Sequence, residues 1–447
     1  MTFEDLNLGR PLMNALGDLG YTTPTPIQRE VYSTILAGKD VVGIAQTGTG
    51  KTFAYILPVL RHLKYSEQKH PRILVLVPTR ELVVQVMGEI EKLSTYINVR
   101  IKGAYGGTNI NTQKQNVYDG CDILVATPGR LLDLALSSVL RLKHIQKLII
   151  DEVDEMLNLG FRTQLTNLLD ILPERRQNLL FSATMTTDID AVIDAFFNTP
   201  EKFIIVPQGT PLDNIEQRIY RVPNFYTKID LLEHLLATDE TMTKVLIFAE
   251  SKRLVDRLEE KIAENHPNQI GVIHSNKSQN YRLRSIERFQ NNAHKILVAT
   301  DLIARGIDFE DVTHVINFDT PDFAENYLHR IGRTGRAEAK GVSIIFTNEV
   351  EEEYQAAIEA LMNYKIPQFD LPEGVEISTI FTPEEQPNLA DKNYLPEVTR
   401  KGVKKETHQK KDKNLKENKG GSYREKIKAK YKKPKTRGQK PRGNKKR

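Results

Sequence analysis

Runs of β-branched and aliphatic residues recur along the chain, separated by amphipathic stretches of helix length. The first series is VVGIAQ (41–46), ILVLVP (73–78), DILVATP (122–128), KLIIDE (147–152) and NLLFSAT (178–184). The second is KVLIFAES (244–251), IGVIHS (270–275), KILVATD (295–301), VTHVINFD (312–319) and GVSIIFT (341–347). A strand that is apolar on both faces is one covered by helices on both sides. Such strands, alternating with amphipathic segments, predict parallel sheets with crossover helices. Between the two series, VPQGTPLDNIEQ (206–217) carries Pro and Gly and has no period, which reads as a linker. The pattern predicts an α/β protein with two domains, 1–207 and 218–368, a linker over 208–217, and a C-terminal extension over 369–447. From about residue 390 the chain is Lys-rich and poor in apolar residues, so that stretch is expected to be disordered.

Charge changes this picture at one end only. The net charge of the 447 residues is +5, but residues 400–447 hold 22 Lys/Arg against 4 Asp/Glu. An acidic body therefore carries a strongly basic tail, the signature of a polyanion partner such as nucleic acid. The tail has only two aromatic residues, Tyr423 and Tyr431, so charge rather than base stacking is expected to dominate its contacts. No apolar run reaches the length of a membrane span, and MTFEDLNLGR at the N-terminus has no apolar signal core. The single cysteine, Cys121, excludes an internal disulfide and cannot alone build a zinc site. These features fit a cytoplasmic protein with no membrane role.

In parallel α/β sheets, ligands bind beyond the C-terminal ends of the strands. AQTGTGKT (45–52) follows the first apolar run. Its glycines Gly48 and Gly50 let successive N–H groups turn toward phosphate oxygens, Lys51 supplies a charge for the β- and γ-phosphates, and the Thr52 hydroxyl can ligate Mg²⁺. Ala45 stands where the generic phosphate loop has its first glycine; Gln46, Thr47 and Thr49 complete the loop. LIIDEVDEML (148–157) places Asp151, Glu152, Asp154 and Glu155 within five residues at a strand end. Packed acids repel, and burying one is costly without a partner. A nucleotide-bound Mg²⁺ resolves this: Asp151 fits as the metal's partner, Glu152 as the base or orienter for the attacking water, and Asp154 as a hydrogen-bond partner of a neighbouring loop. Glu155 falls at a helix start, where the dipole favours an acid.

Taken together these motifs resemble those of the DEAD-box RNA helicases, in order and over nearly all of residues 3–347. Phe3 and GYTTPTPIQ (20–28) are similar to the family's adenine-reading motif, with Gln28 pairing with the adenine edge, Tyr21 stacking on the ring and Phe3 behind it. PTREL (78–82), Gly106, Gly107 and TPGR (127–130) resemble its RNA contacts. DEVD stands where the family has Asp-Glu-Ala-Asp, followed by SAT (182–184). LIFAES (246–251), QNYR (279–282), ATDLIARGID (299–308) and YLHRIGRTGR (327–336) complete the set. Val153 for alanine is the departure at the name-giving motif, and activity is expected to survive a small repacking.

The resemblance implies two tandem RecA-like domains, ATP and Mg²⁺ as cofactors, and RNA-stimulated ATP hydrolysis with local unwinding of short duplexes. It implies that Ser182, Thr184 and His329 couple to Asp154, that Arg333 and Arg336 reach the γ-phosphate, and that Asp308 binds the ribose. Three guanidiniums in HRIGRTGR would repel without an anion. Thr79, Arg80, Gly106, Gly107, Thr127, Arg130, Arg282 and Thr300 are the implied contacts to RNA backbone and 2′-hydroxyls, independent of sequence. The short lead and basic tail resemble the bacterial RhlE-type branch, which points to ribosomal precursors or RNA-turnover proteins as partners of a monomer. An ATP-gated RNA clamp with little unwinding is the alternative.

Overall fold

The computed structural model describes residues 2–385 except 47, 138, 206–213, 302–306, 308, 310, 336–339 and 384. The first seven strands are β1 (Val41–Ile44), β2 (Ile73–Leu76), β3 (Ile101–Ala104), β4 (Ile123–Ala126), β5 (Lys147–Ile150), β6 (Gln177–Ser182) and β7 (Glu201–Ile204). They form one sheet in the order β3-β4-β2-β5-β6-β1-β7. The next seven are β8 (Ile215–Arg221), β9 (Val245–Phe248), β10 (Ile270–Ile273), β11 (Ile296–Ala299), β12 (His314–Asn317), β13 (Gly341–Thr347) and β14 (Gln368–Phe369). They form a second sheet in the order β10-β11-β9-β12-β13-β8-β14. Every pairing is parallel, as in β1 with β6 and β2 with β5.

Alternation along each strand divides the core into two layers per sheet. In the first domain Val41, Val75, Val125, Ile149 and Leu179 pack on one face. Val42, Leu74, Leu124, Leu148 and Leu180 pack on the other. The second domain repeats the arrangement, with Val245, Ile247 and Val298 on one face and Leu246, Phe248 and Leu297 on the other.

Two expected boundaries move. Ile215, Glu216 and Gln217 belong to strand β8 rather than to a linker, since β8 runs from Ile215 to Arg221 between β13 and β14. The second domain also continues past residue 368. β14 ends at Phe369, and the Ser378 N–H donates to Thr227 Oγ1 at 2.9 Å while the Phe225 N–H donates to Glu385 Oε1 at 2.5 Å. The basic stretch 400–447 lies outside the described residues. Among the described residues no helix is long and apolar enough to cross a membrane, and Cys121 is buried and unpaired.

Register decides where the chemistry gathers. Ile44 pairs with Ser182 and Leu76 with Ile150, so β1, β2, β5 and β6 end at one rim. The segments that leave those ends are the phosphate loop, Pro78–Thr79, Asp151–Asp154 and Ala183–Thr184.

Candidate active site

The phosphate loop leads from β1 into a helix, Lys51–His62, whose N-cap is Gly50 in the left-handed region. Gly48 and Gly50 both have φ near +80°, which an L side chain adopts only under strain. A Cβ on Gly50 would lie 2.4 Å from Gln28 Nε2. Thr49 closes the loop by donating to the Gln46 carbonyl at 2.7 Å, and Ala45 holds it to β6 through its N–H to Ser182 O at 3.0 Å. Thr52 follows on the first turn of the helix; Thr47 lies outside the described residues.

Lys51 is 5% exposed, and its ammonium makes no hydrogen bond although Glu152 Oε1 lies 3.3 Å away. A buried ammonium that is ion-paired but makes no hydrogen bond keeps its donors available to an anion such as phosphate. Opposite it, at the end of β5, Asp151 is buried and accepts hydrogen bonds from the Tyr55 hydroxyl at 2.8 Å and the Glu152 N–H at 3.0 Å. Burial, reinforced by the neighbouring Glu152 charge, pushes the Asp151 carboxyl up to about 7. A cation beside it would remove that penalty. Burial likewise pushes the Tyr55 hydroxyl well above its usual value, so it acts as a donor. Glu152 is a non-glycine residue at φ +53°, a costly backbone state of the kind that clusters at functional sites. It caps the short helix Val153–Asn158, and Val153 is fully buried, packed in the core away from the acids. Glu155 is buried in that helix's first turn.

Asp154 reaches the loop after β6. It accepts from the Ala183 N–H at 3.2 Å, the Thr184 N–H at 3.0 Å and the Thr184 hydroxyl at 3.1 Å. Burial opposes its charge, but His329 and Lys51 outweigh burial and hold its carboxyl below the usual range. His329 comes from the second domain, in helix Ala324–Ile331, so this acid joins the two domains electrostatically. The expected bond from Ser182 differs: its hydroxyl is buried and near enough to favour the Asp154 charge, but makes no hydrogen bond of good geometry. The Ala183 backbone takes that place, and sequence offers no signal for a backbone donor.

On the adenine side Gln28 is buried and both ends of its amide are engaged. Oε1 accepts from the Thr25 N–H at 2.9 Å and Nε2 donates to the Gly50 carbonyl at 3.1 Å. An amide has two donors and two lone pairs, so one of each remains for a base edge. Tyr21 is half exposed and sits edge-on to Phe53, with ring centroids 5.4 Å apart. Phe3 is buried in the core, its N–H on the Thr22 carbonyl at 3.3 Å.

The second domain's arginines are held inside their own domain. Arg330 forms a two-pronged ion pair with Asp301, both distances 2.6 Å, and also donates to Asn317 and to the Asp319 carbonyl. The anion it needs is thus within the chain, which corrects the expectation of three guanidiniums awaiting one. Arg333 is 2% exposed and donates to the carbonyls of Ile307 at 2.7 Å and His329 at 3.1 Å. Arg336 and Asp308 lie outside the described residues.

The candidate nucleic-acid contacts lie at the same rims. Thr79 caps helix Arg80–Leu93 and Thr127 caps Pro128–Leu136, both buried. The Arg80 guanidinium lies against Gly106 and Gly107; a Cβ on Gly107 would stand 1.7 Å from its Nη1 and displace the arginine, and φ of +77° strains any L side chain there. Arg130 donates to Gln113 at 2.7 Å and to the Thr108 carbonyl at 3.0 Å. Thr300 is buried at the end of β11, beside a cleft of about 580 Å³ also lined by Ser251, Arg253 and Asn276. Arg282 departs from expectation. It is 5% exposed and paired with Glu81 of PTREL at 3.0 Å. Its charge is spent on a link between the domains, next to an Arg80–Gln279 hydrogen bond of 3.4 Å.

Residues 25–192 match the DEAD/DEAH box helicase family model, and residues 227–338 match that of the helicase conserved C-terminal domain. The ATP-dependent RNA helicase CshA of Limosilactobacillus reuteri is 39% identical over 82% of this chain and 73% of its own length. The ATP-dependent RNA helicase RhlB of Pseudomonas syringae pv. tomato is also 39% identical, over 81% of this chain and 93% of its own. Among solved structures, S. cerevisiae Dbp5 bound to RNA and ADP BeF3 is similar with a TM-score of 0.75 at 26% identity, covering 83% of this chain and 96% of that one. Mss116p bound to ssRNA and AMP-PNP gives 0.74 at 27% identity, covering 86% and 82%.

Proposed function

The chain belongs to the DEAD-box ATP-dependent RNA helicases, and from that premise we propose how its residues divide the work. The carrying observation is the buried Lys51 ammonium, without a hydrogen bond and facing Glu152 and Asp151 at the end of β5. A nucleotide triphosphate is the anion this cradle lacks. Lys51 and the loop N–H groups bind its phosphates, and Gln28 and Tyr21 take the adenine. Thr52 and Asp151 would hold Mg²⁺, which would supply positive charge to offset that of the phosphates. Glu152 orients a water toward the γ-phosphorus and takes its proton; the bond to the β–γ bridging oxygen breaks, releasing ADP and phosphate.

Asp154 carries the state of this site outward, through Ala183 and Thr184 in its own domain and toward His329 in the other. Arg333 and Arg336 approach the γ-phosphate from the second domain. Arg80, Arg130, Thr127 and Thr300 hold the RNA backbone across both domains, with Thr79, Gly106 and Gly107 shaping that path. RNA and ATP each favour the closed pair, so each raises the affinity for the other. The basic tail adds charge-driven RNA affinity. The basic tail fits an RhlE-type protein acting on ribosomal precursors or in RNA turnover, and we take it to act as a cytoplasmic monomer.

Glu152→Gln tests this division. The amide keeps the shape but cannot take a proton, so RNA-stimulated turnover should fall by roughly 10²–10⁴ while ATP and RNA still bind. Turnover near that of the unaltered protein would remove Glu152 from the role.

A further inference from the structure

Tyr55 sits one turn past Lys51 in the phosphate-loop helix, 1% exposed, with its ring against Phe181 of β6 at 5.2 Å. Its surroundings are apolar and a phenylalanine would fill the same volume. The hydroxyl is therefore extra polarity in a core, costly unless it is paired. It donates to Asp151 Oδ2 at 2.8 Å, and the Thr52 side chain is near enough to bond it as well. The other oxygen, Oδ1, accepts the Glu152 N–H, so both oxygens of the carboxylate are held and its plane is fixed. Tyr32 supplies a contrast within the same core layer, because its buried hydroxyl has no hydrogen-bond partner.

We propose that Tyr55 is a positioning residue that clamps the Asp151 carboxylate in the orientation needed to hold the nucleotide's Mg²⁺. The inference rests on the assignment of Asp151 made above. Lys51, Thr52 and Tyr55 leave one helix at successive positions of its first turns, so the phosphate-binding charge, the metal-ligating hydroxyl and the clamp move as one body. Through Tyr55 the acidic end of β5 moves with them. Groups that orient a metal's ligands act on affinity much as the ligands do, with losses of roughly 10- to 100-fold when they are removed.

The test is the Mg²⁺ concentration that gives half-maximal tight binding of a fluorescent ADP to the full chain, a readout independent of turnover. Tyr55→Phe should raise it about tenfold and leave ADP binding without Mg²⁺ unchanged. A merely structural tyrosine would weaken both equally, and that result overturns the proposal. Tyr32→Phe should shift neither. Asp151→Asn separates this inference from its premise. If Asp151→Asn raises the Mg²⁺ requirement and Tyr55→Phe does not, the clamp is wrong and the Asp151 assignment stands. If neither raises it, the assignment fails and the clamp with it. In the double variant, the effect of Tyr55→Phe should vanish once Asp151 is Asn; additive shifts would show that the hydroxyl acts elsewhere.

Discussion

In the first domain Lys51 lies buried with no hydrogen bond and Asp151 has its carboxyl pushed up to about 7, so the cluster carries unsettled charge. In the second domain Arg330 is closed on Asp301, and Arg333 is given to the carbonyls of Ile307 and His329. Both regions are rich in ionisable groups, yet in the first an ammonium is ion-paired with Glu152 without a hydrogen bond, and in the second the guanidiniums are hydrogen-bonded within the domain. Binding ATP to the first domain relieves a cost already present. Bringing Arg333 to a phosphate requires it to exchange or share partners, which happens only when something else favours closure. In the proposed division of work, that asymmetry would make the first domain the nucleotide binder and the second domain the condition for hydrolysis. On the same proposal, the contacts joining the domains, Glu81–Arg282 and Asp154 with His329, would let RNA meet that condition.

The comparison breaks most visibly at Arg333. Arg333→Ala should lower RNA-stimulated turnover by roughly 10³ or more, the usual worth of an arginine finger. Nucleotide affinity without RNA should not change, because Gln28, Lys51 and Thr52 all belong to the first domain. Steady-state ATPase and fluorescent nucleotide titration check the two halves. A full-speed variant would make Arg333 a fold residue only, serving Ile307 and His329.

A smaller effect is expected at the seam. Glu81→Gln removes the charge opposite Arg282 and leaves both active-site halves intact. The factor by which RNA tightens ATP binding should drop by about fivefold, the low end of usual coupling. ATP affinity in the absence of RNA should stay the same. An unaltered factor would mean that this pair holds shape without transmitting anything.

The same asymmetry governs what could be read from the sequence. Strands buried on both faces were legible as unbroken apolar runs, among them ILVL in β2 and VLIF in β9. Strands β3, β7 and β14 were not, because they lie at sheet edges where one or both faces meet water, and Glu201–Ile204 alternates in exposure. β8, IEQRIYR, was hidden for a related reason: only two residues of β14 cover its outer side. The side chains proposed for the nucleotide were legible as candidates because they follow strands in short motifs whose chemistry needs them. Roles that depend on a partner far along the chain were not. Arg282 reads as a phosphate contact until Glu81 is found beside it, and Tyr55 reads as core until Asp151 is found at its hydroxyl. Asp154 was the exception: the acid cluster pointed to a hydrogen bond with a neighbouring loop, and the family resemblance identified that loop as SAT.

Reciprocal affinity in the hydrolysis-blocked Glu152→Gln chain tests the central claim most directly. ATP binding is measured with and without saturating single-stranded RNA, and RNA binding with and without saturating ATP. Each ligand should tighten the other, by one and the same factor because linkage makes the coupling reciprocal. Affinities that do not respond to the second ligand would contradict it, because the two domains would then not be completing one site.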